Sequence, residues 1–252
     1  MNSAIVRNLL VRGMLAGLGA GVLALVVAYF LGEPNVDSAI GFEESHAPAH
    51  EHEVELVSRG LQSTAGLATG ILVYGVAFGG IAALAFCFAL GRVGRFGPRA
   101  TALLLSGAAF VAVYAVPFLK YPANPPAVGD PDTIARRTTL YFLMMVLSVL
   151  LAVAAVIVGK RLAPRLGTWY ATVAAVAGFL VVIGLAYAFL PTVNEVPGDF
   201  PAALLWRFRL SALALQATLW AGFGLVFGEL AERLIHPRPA AVPAGAAAAS
   251  PQ

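Results

Sequence analysis

Charged residues and cysteine are both scarce in this chain of 252 residues. Asp, Glu, Lys and Arg make up 12% of it, about half the share of a typical soluble domain, while 60% of the residues are hydrophobic and the mean hydropathy is +0.83. The lack of charge excludes an ordinary soluble globule and makes lipid the expected surroundings of most of the chain. The single Cys87 excludes a disulfide framework and a cysteine-based metal site.

Sequence motifs of catalysis are missing as well. The chain contains no phosphate-binding P-loop, no nucleophile elbow and no His-Glu-x-x-His zinc motif. The sequence therefore predicts that the protein is not an enzyme.

Long apolar runs that contain neither Asp nor Glu make up most of the sequence. Each is long enough to cross a hydrocarbon core, which takes about 20 helical residues, and none shows the strict alternation of a barrel strand. Helices satisfy their own backbone in lipid, so we expect an all-α integral membrane protein, a bundle of about six transmembrane helices. The predicted spans are residues 13–31, 67–90, 100–118, 139–159, 168–190 and 204–227.

The predicted spans form one transmembrane domain over residues 1–235, followed by a disordered tail rich in Pro and Ala over 236–252. Glycines recur at four-residue spacing, which lets membrane helices approach closely. The pattern occurs in Gly13, Gly17 and Gly21, and in the pairs Gly66 and Gly70, Gly75 and Gly79, and Gly224 and Gly228.

Charge is distributed unequally between the two sides that six alternating helices would create. The short segments Arg92–Arg99 and Lys160–Arg165 are basic and fall on the side of the termini, where Glu229 and Glu232 are the only acids. The positive-inside rule makes that side cytoplasmic, with both termini inside. The opposite side is strongly acidic and is expected to attract cations rather than nucleic acid.

The segment between the first two spans, predicted as an outer loop over residues 33–66, suggests a metal site. His46, His50 and His52 lie within seven residues, and Glu43 and Glu44 precede them. Imidazole and carboxylate together suit cobalt, nickel or zinc better than calcium or magnesium. Pro48 argues against a continuous helix here. A reversible capture site is one interpretation, and a solvated acidic loop is the other.

Two further outer segments carry Asp130 and Asp132, and Glu195 and Asp199. Asp130-Pro131-Asp132 is typical of a helix start, in which the first Asp caps the helix, so capping competes with a role in an outer-mouth polar network. Arg207 and Arg209 begin the sixth run, where an unpaired charge is costly. They are expected either to pair with these acids or to reach the lipid headgroups beside Trp206.

Three motifs resemble a known family. They are Gly32-Glu33-Pro34, the stretch Pro117-Phe-Leu-Lys-Tyr-Pro-Ala-Asn-Pro-Pro-Ala-Val-Gly-Asp-Pro-Asp-Thr-Ile, and the stretch Pro191-Thr-Val-Asn-Glu-Val-Pro-Gly-Asp-Phe-Pro-Ala-Ala-Leu-Leu-Trp-Arg-Phe-Arg-Leu. The chain resembles the CbtA family of predicted cobalt transporter subunits from about Arg7 to Arg233. That family is usually described with about five spans. The resemblance implies a bacterial or archaeal inner-membrane protein that supplies cobalt for cobalamin synthesis, with a small single-span partner subunit bearing a histidine-rich stretch.

Together these features predict a multi-pass subunit that helps to import a divalent metal ion, cobalt first and nickel or zinc next, with the acidic histidine loop as capture site. The alternative is a membrane accessory or assembly protein that binds metal or a partner outside the membrane without transporting anything. The sequence leaves both open.

Overall fold

The computed structural model describes residues 2–46 and 57–236, and every regular element in these ranges is helical. Five continuous helical runs are long and apolar enough to cross a membrane. The first three are α1 (Ser3–His46), α2 (Arg59–Ala89) and α3 (Pro98–Lys120), and the other two are the runs Pro131–Phe189 and Ala202–Ile235.

The fourth run consists of two helices joined at Gly167. This glycine has φ 76° and ψ 158°, which is not helical and which other residues rarely adopt. Gly159 packs against Ala175, although sixteen residues of straight helix would separate them by about 24 Å. The chain therefore folds back at Gly167, forming a hairpin of α4 (134–166) and α5 (168–189), and the last helix, Ala202–Ile235, is α6. The predicted all-helical bundle of about six spans is confirmed.

The segment predicted as a loop over residues 33–66 is helical at both ends. Helix α1 continues through a wide π turn at Ala28–Gly32 into Glu33–His46, and α2 begins at Arg59. Hydropathy shows where lipid-compatible sequence ends, but helices extend beyond that point when tertiary contacts hold them. Residues 47–56 and 237–252, which include His50, His52 and nearly all of the predicted tail, lie outside the described residues.

A proline follows the wide turn in α1. Pro34 has no backbone N–H, so the carbonyl of Phe30, four residues earlier, lacks its usual α-helical donor. The neighbouring carbonyl of Leu31 accepts hydrogen bonds from Asn35 Nδ2 at 2.7 Å and from Ser211 Oγ of α6 at 2.7 Å. The irregular turn thus joins α1 to α6.

A second irregular turn lies in α3, and it too is followed by a proline. Pro117 follows the π turn Phe110–Ala115, whose Ala112 carbonyl accepts a hydrogen bond from the buried Ser148 hydroxyl of α4. Farther toward the helix end, the carbonyl of Val116 accepts one from the Tyr187 hydroxyl of α5. These bonds attach the hairpin to the half of α3 nearest Lys120.

The core of the bundle is helix α1, which lies between α2 and α6. A Cβ added to Gly13 would lie 2.6 Å from the carbonyl oxygen of Gly79, and one added to Gly75 would lie 2.6 Å from that of Gly17. Only glycine permits this backbone contact, so the predicted close approach is confirmed for α1 and α2. Gly224 also packs closely, 3.0 Å from Ser106 Cβ for an added Cβ, whereas Gly70 has open space.

We predict that Gly17→Ala lowers the melting temperature of the purified protein in detergent. The added methyl group would overlap the α2 backbone, and overpacking of this kind costs about 1–3 kcal/mol. Gly19→Ala is the matched control, because an added Cβ there meets nothing within 4 Å. An equal loss in both variants would show that the glycine contact is not what stabilises the pair.

The membrane orientation yields a second prediction, made in a Cys87→Ala background. An impermeant maleimide added to intact cells should label Gly198→Cys, which lies in the exposed segment between α5 and α6. It should not label Val93→Cys, which is 38% exposed between α2 and α3. Labelling of Val93→Cys but not of Gly198→Cys would contradict this orientation and indicate the opposite one.

Candidate functional site

A buried carboxylate lies at the side of the bundle that holds the segments between α1 and α2, between α3 and α4, and between α5 and α6, hereafter the acidic side. The Glu195 side chain is only 3% exposed. It forms an ion pair with Arg137 of α4, accepts a hydrogen bond from the Thr133 hydroxyl, and lies 3.4 Å from Asn124 Nδ2. A buried charge needs such partners, because desolvation without them is costly. The α3–α4 and α5–α6 segments thereby meet at one carboxylate.

Arg209 joins this group through Asn124 rather than through an acid. Its Nη2 donates to Asn124 Oδ1 at 3.1 Å, and its Nε donates to the carbonyl of Ala123 at 3.3 Å. Asn124 therefore connects Arg209 with Glu195. Burial lowers the number of waters that Arg209 can contact, so these carbonyl acceptors replace part of its hydration.

The predicted direct pairing of Arg207 or Arg209 with an outer acid is wrong within the described residues, where neither arginine forms an ion pair. Arg207 is exposed beside the exposed Trp206, as expected for a side chain that reaches the headgroups. The cation that Glu195 does contact, Arg137, was missed. The sequence feature that could have identified Arg137 is its position, about one turn after the capping motif of α4 and therefore close to the acidic side.

Asp130 and Asp132 lie at the start of α4, where they have the helix-capping role rather than a role in an outer-mouth polar network. The carboxylate of Asp130 accepts a hydrogen bond from the backbone N–H of Asp132 at 2.9 Å, and Pro131 occupies the first position of the turn. Both aspartates are exposed and neither contacts Glu195. They start α4 and so fix the position of Thr133 and Arg137.

His46 lies at the last turn of α1 and faces the α5–α6 segment. Its Nε2 is 3.7 Å from Asp199 Oδ2, and its ring stacks on Phe42 with centroids 4.1 Å apart. Phe42 packs in turn on Phe200, in a small cluster that also contains Ala39 and Val128. The structure thus brings the end of α1 to the same side as the Glu195 network.

The other predicted metal ligands are not gathered around His46. Glu43 and Glu44 are exposed on α1, and His50 and His52 are outside the described ranges. Over residues 2–46 and 57–236, no three His, Cys, Asp or Glu side chains are arranged to hold a metal ion. Metal capture by this segment therefore stays a prediction.

Two ion pairs that the sequence did not predict hold the extended part of α1 to the start of α2. Arg59 forms ion pairs with Glu33 and with Asp37, whose Oδ1 is 2.8 Å from Nη2. Three of the acids on this side, Glu33, Asp37 and Glu195, are thus neutralised by arginine, while Glu43, Glu44, Asp130 and Asp132 stay exposed to solvent.

A cavity of about 320 Å³ adjoins the Glu195 network. Its lining includes Asn124 and Arg137 of this network and three tyrosines, Tyr114, Tyr121 and Tyr141. Tyr121 is 4% exposed and donates to the carbonyl of Pro191 at 2.8 Å, which pins the α3–α4 segment to the α5–α6 segment. Burial raises the pKa of Tyr121, so this hydroxyl remains a neutral donor.

We predict that Arg137→Ala destabilises the protein by about 2–4 kcal/mol, because it leaves a buried carboxylate without its cation. The measurement is thermal unfolding in detergent. Arg136→Ala is the matched control, since Arg136 is the exposed neighbour in the same turn. The double variant Arg137→Ala with Glu195→Ala should lose less than the sum of the single losses. Additive losses would mean that the two residues are not coupled.

Comparison with known proteins gives one family. No curated protein and no solved structure matches the chain. The sequence model of the family described as "Probable cobalt transporter subunit (CbtA)" matches residues 6–232, which include all six spans and the Glu195 network. The resemblance drawn from the loop motifs is therefore confirmed, and the chain belongs to the CbtA family of probable cobalt transporter subunits.

Proposed function

We propose that this protein is the multi-pass membrane subunit of a divalent metal uptake system, with the cobalt ion as its cargo. The observation that carries the proposal is the charge separation along a six-span bundle. Within the described residues every acid except Glu229 and Glu232 belongs to the acidic side, where Asn124 and Arg137, both partners of Glu195, line a cavity. An acidic entrance raises the local concentration of a cation before it enters.

Capture of the ion is assigned to the segment that begins at the end of α1. His46, His50 and His52, with Glu43 and Glu44, offer the nitrogen and oxygen ligands that cobalt, nickel and zinc prefer. The contact of His46 with Asp199 supports this assignment, because it places the start of the histidine segment beside the α5–α6 segment and its Glu195 network. We expect such a site to exchange ions readily rather than to hold one ion as a closed structural site does.

The acidic side faces outward in this proposal, and the protein lies in the inner membrane of a bacterium or archaeon. Basic residues of the opposite side, which include Arg92, Arg95, Lys160 and Arg161, favour the cytoplasm. On that side Arg99 and Arg233 both pair with Glu229. No catalytic step is assigned to the chain.

A small single-span subunit with a histidine-rich stretch is the proposed partner, and cobalt supply for cobalamin synthesis is the proposed purpose. The hairpin of α4 and α5 supports a membrane partner. In its most apolar stretch 11% of the residues are buried, against 28–33% in the other four runs. Side chains such as Leu150, Leu180 and Phe189 are left for lipid or for another helix.

The alternative function is an accessory protein that binds metal or a partner without transport. Purified protein in liposomes, with and without the partner subunit, separates the two. Cobalt accumulation in either preparation supports transport, whereas binding of cobalt to the protein with no accumulation in both preparations supports the accessory role.

We predict that replacing His46, His50 and His52 together by Ala lowers cobalt uptake at limiting cobalt and much less at saturating cobalt. A capture site changes the local ion concentration rather than the rate of passage. Lowering the pH should weaken the binding of cobalt to the wild-type protein, because protons compete with the metal for the imidazole nitrogens.

His236→Ala is the matched control, because the fourth histidine lies on the opposite side and pairs with Glu232. Folding of the triple variant should be unchanged, as judged by its melting temperature. Uptake that is unaffected by the triple substitution at every cobalt concentration would assign the segment to solvation alone.

A further inference from the structure

His46 at the end of α1 and Asp199 of the α5–α6 segment face each other across a short gap. We propose that a divalent cation binds in this gap, between His46 Nε2 and Asp199 Oδ2, so that Asp199 is a metal ligand. The inference rests on the proposed function, in which the end of α1 captures the ion, and it adds a ligand from a distant part of the chain.

The distance between the two atoms is too long for a hydrogen bond but close to that of two ligands of one ion. Nε2 of His46 lies 3.7 Å from Oδ2 of Asp199, whereas N–H···O bonds measure about 2.7–3.2 Å. Ions such as zinc bind imidazole nitrogen and carboxylate oxygen at about 2.0–2.2 Å, so two adjacent ligands lie about 3.0–3.4 Å apart. A small rotation of either side chain would therefore bring both atoms to one ion.

The second ring nitrogen of His46 holds its proton away from Asp199. Nδ1 lies 2.9 Å from the carbonyl oxygen of Phe42 and 2.9 Å from Ser45 Oγ. A carbonyl only accepts, so the bond to Phe42 assigns a proton to Nδ1, while Ser45 Oγ donates its own proton to the same carbonyl at 2.8 Å. In the neutral ring the lone pair is then on Nε2, which faces Asp199. Metal-binding histidines commonly have this arrangement, in which the other nitrogen donates to a backbone carbonyl.

One apolar contact fixes the positions of both ligands. The His46 ring stacks on Phe42, one turn earlier in α1, with centroids 4.1 Å apart. Phe42 packs on Phe200 with centroids 5.0 Å apart, and Phe200, which is 5% exposed, directly follows Asp199 in the chain. Ligands that are already in place lose less conformational freedom when the ion binds.

Both ligands are open to the solution. The side chain of His46 is 53% exposed and that of Asp199 is 64% exposed. An ion can therefore arrive from solvent, and water can occupy its remaining coordination positions. Among the described residues no third His, Cys, Asp or Glu completes a closed site here. Two protein ligands and several waters suit exchangeable capture rather than permanent binding.

An exposed ion pair is the other interpretation of this contact. It requires an imidazolium ring with protons on both nitrogens, and the proton on Nε2 excludes a metal from that atom. Experiments with the metal itself therefore separate the two interpretations.

A thiol in place of the carboxylate tests coordination directly. In a Cys87→Ala background, the purified full-length Asp199→Cys variant should give a thiolate-to-cobalt charge-transfer band when cobalt(II) is added, because a thiolate is a metal ligand. Adding His46→Ala should raise the cobalt concentration needed for the band at least about tenfold, since even outer-shell partners of metal ligands contribute that much. Asp132→Cys should give no band, because Asp132 is an exposed acid of the same side that pairs with no histidine among the described residues.

Calorimetric titration with cobalt gives an independent measurement, made in a His50→Ala and His52→Ala background that removes the neighbouring imidazoles. Asp199→Asn should weaken cobalt binding at least about tenfold. Asp132→Asn is the matched control, since it removes one charge from the acidic side and should weaken binding much less. His46→Ala combined with Asp199→Asn should lose less than the sum of the single losses, because either change alone disrupts a two-ligand site.

Either the absence of the band in Asp199→Cys or equal losses in Asp199→Asn and Asp132→Asn would overturn the site, provided that the variants keep the wild-type melting temperature. The contact would then be an ordinary ion pair. If liposomes still accumulate cobalt in that case, the proposed function stands without this ligand. If the band appears and depends on His46 but neither liposome preparation accumulates cobalt, the metal site stands and the proposed transport fails.

Discussion

Inside a lipid bilayer every backbone carbonyl needs a donor from the protein itself, and two prolines deprive this chain of such donors within its helices. Pro34 and Pro117 each follow a wide π turn, at Ala28–Gly32 and Phe110–Ala115. Carbonyls within these two turns, those of Leu31 and Ala112, accept hydrogen bonds from Ser211 of α6 and from Ser148 of α4. These bonds connect α6 with α1 and the α4–α5 hairpin with α3.

The same two irregular turns lie near the acidic ends of their helices, and this location shapes the candidate site. Beyond the turn in α1, the helix continues to His46 and reaches the α5–α6 segment. Beyond the turn in α3, the chain enters the proline-rich segment that carries Tyr121 and Asn124. Tight glycine contacts hold α1 against α2, while the hydrogen-bonded acidic ends determine the shape of the mouth.

The carboxylates of the acidic side are of two kinds, one buried and paired, the others exposed to solvent. Glu195 is buried and neutralised by Arg137, so it fixes the geometry of the mouth more than it attracts ions. The exposed acids, such as Glu43, Glu44 and Asp132, remain hydrated and provide the attractive field.

The sequence alone determined the helical class, the approximate spans, the cap at Asp130, the close glycines of α1 and α2, and the family, because hydropathy, local capping and specific motifs are properties of neighbouring residues. The tertiary structure decided the rest. It identified Arg137, not Arg207 or Arg209, as the partner of Glu195, since residues 58 positions apart meet only after folding. It also extended α1 to His46 and brought that histidine beside Asp199 of the α5–α6 segment, a contact that no local pattern encodes.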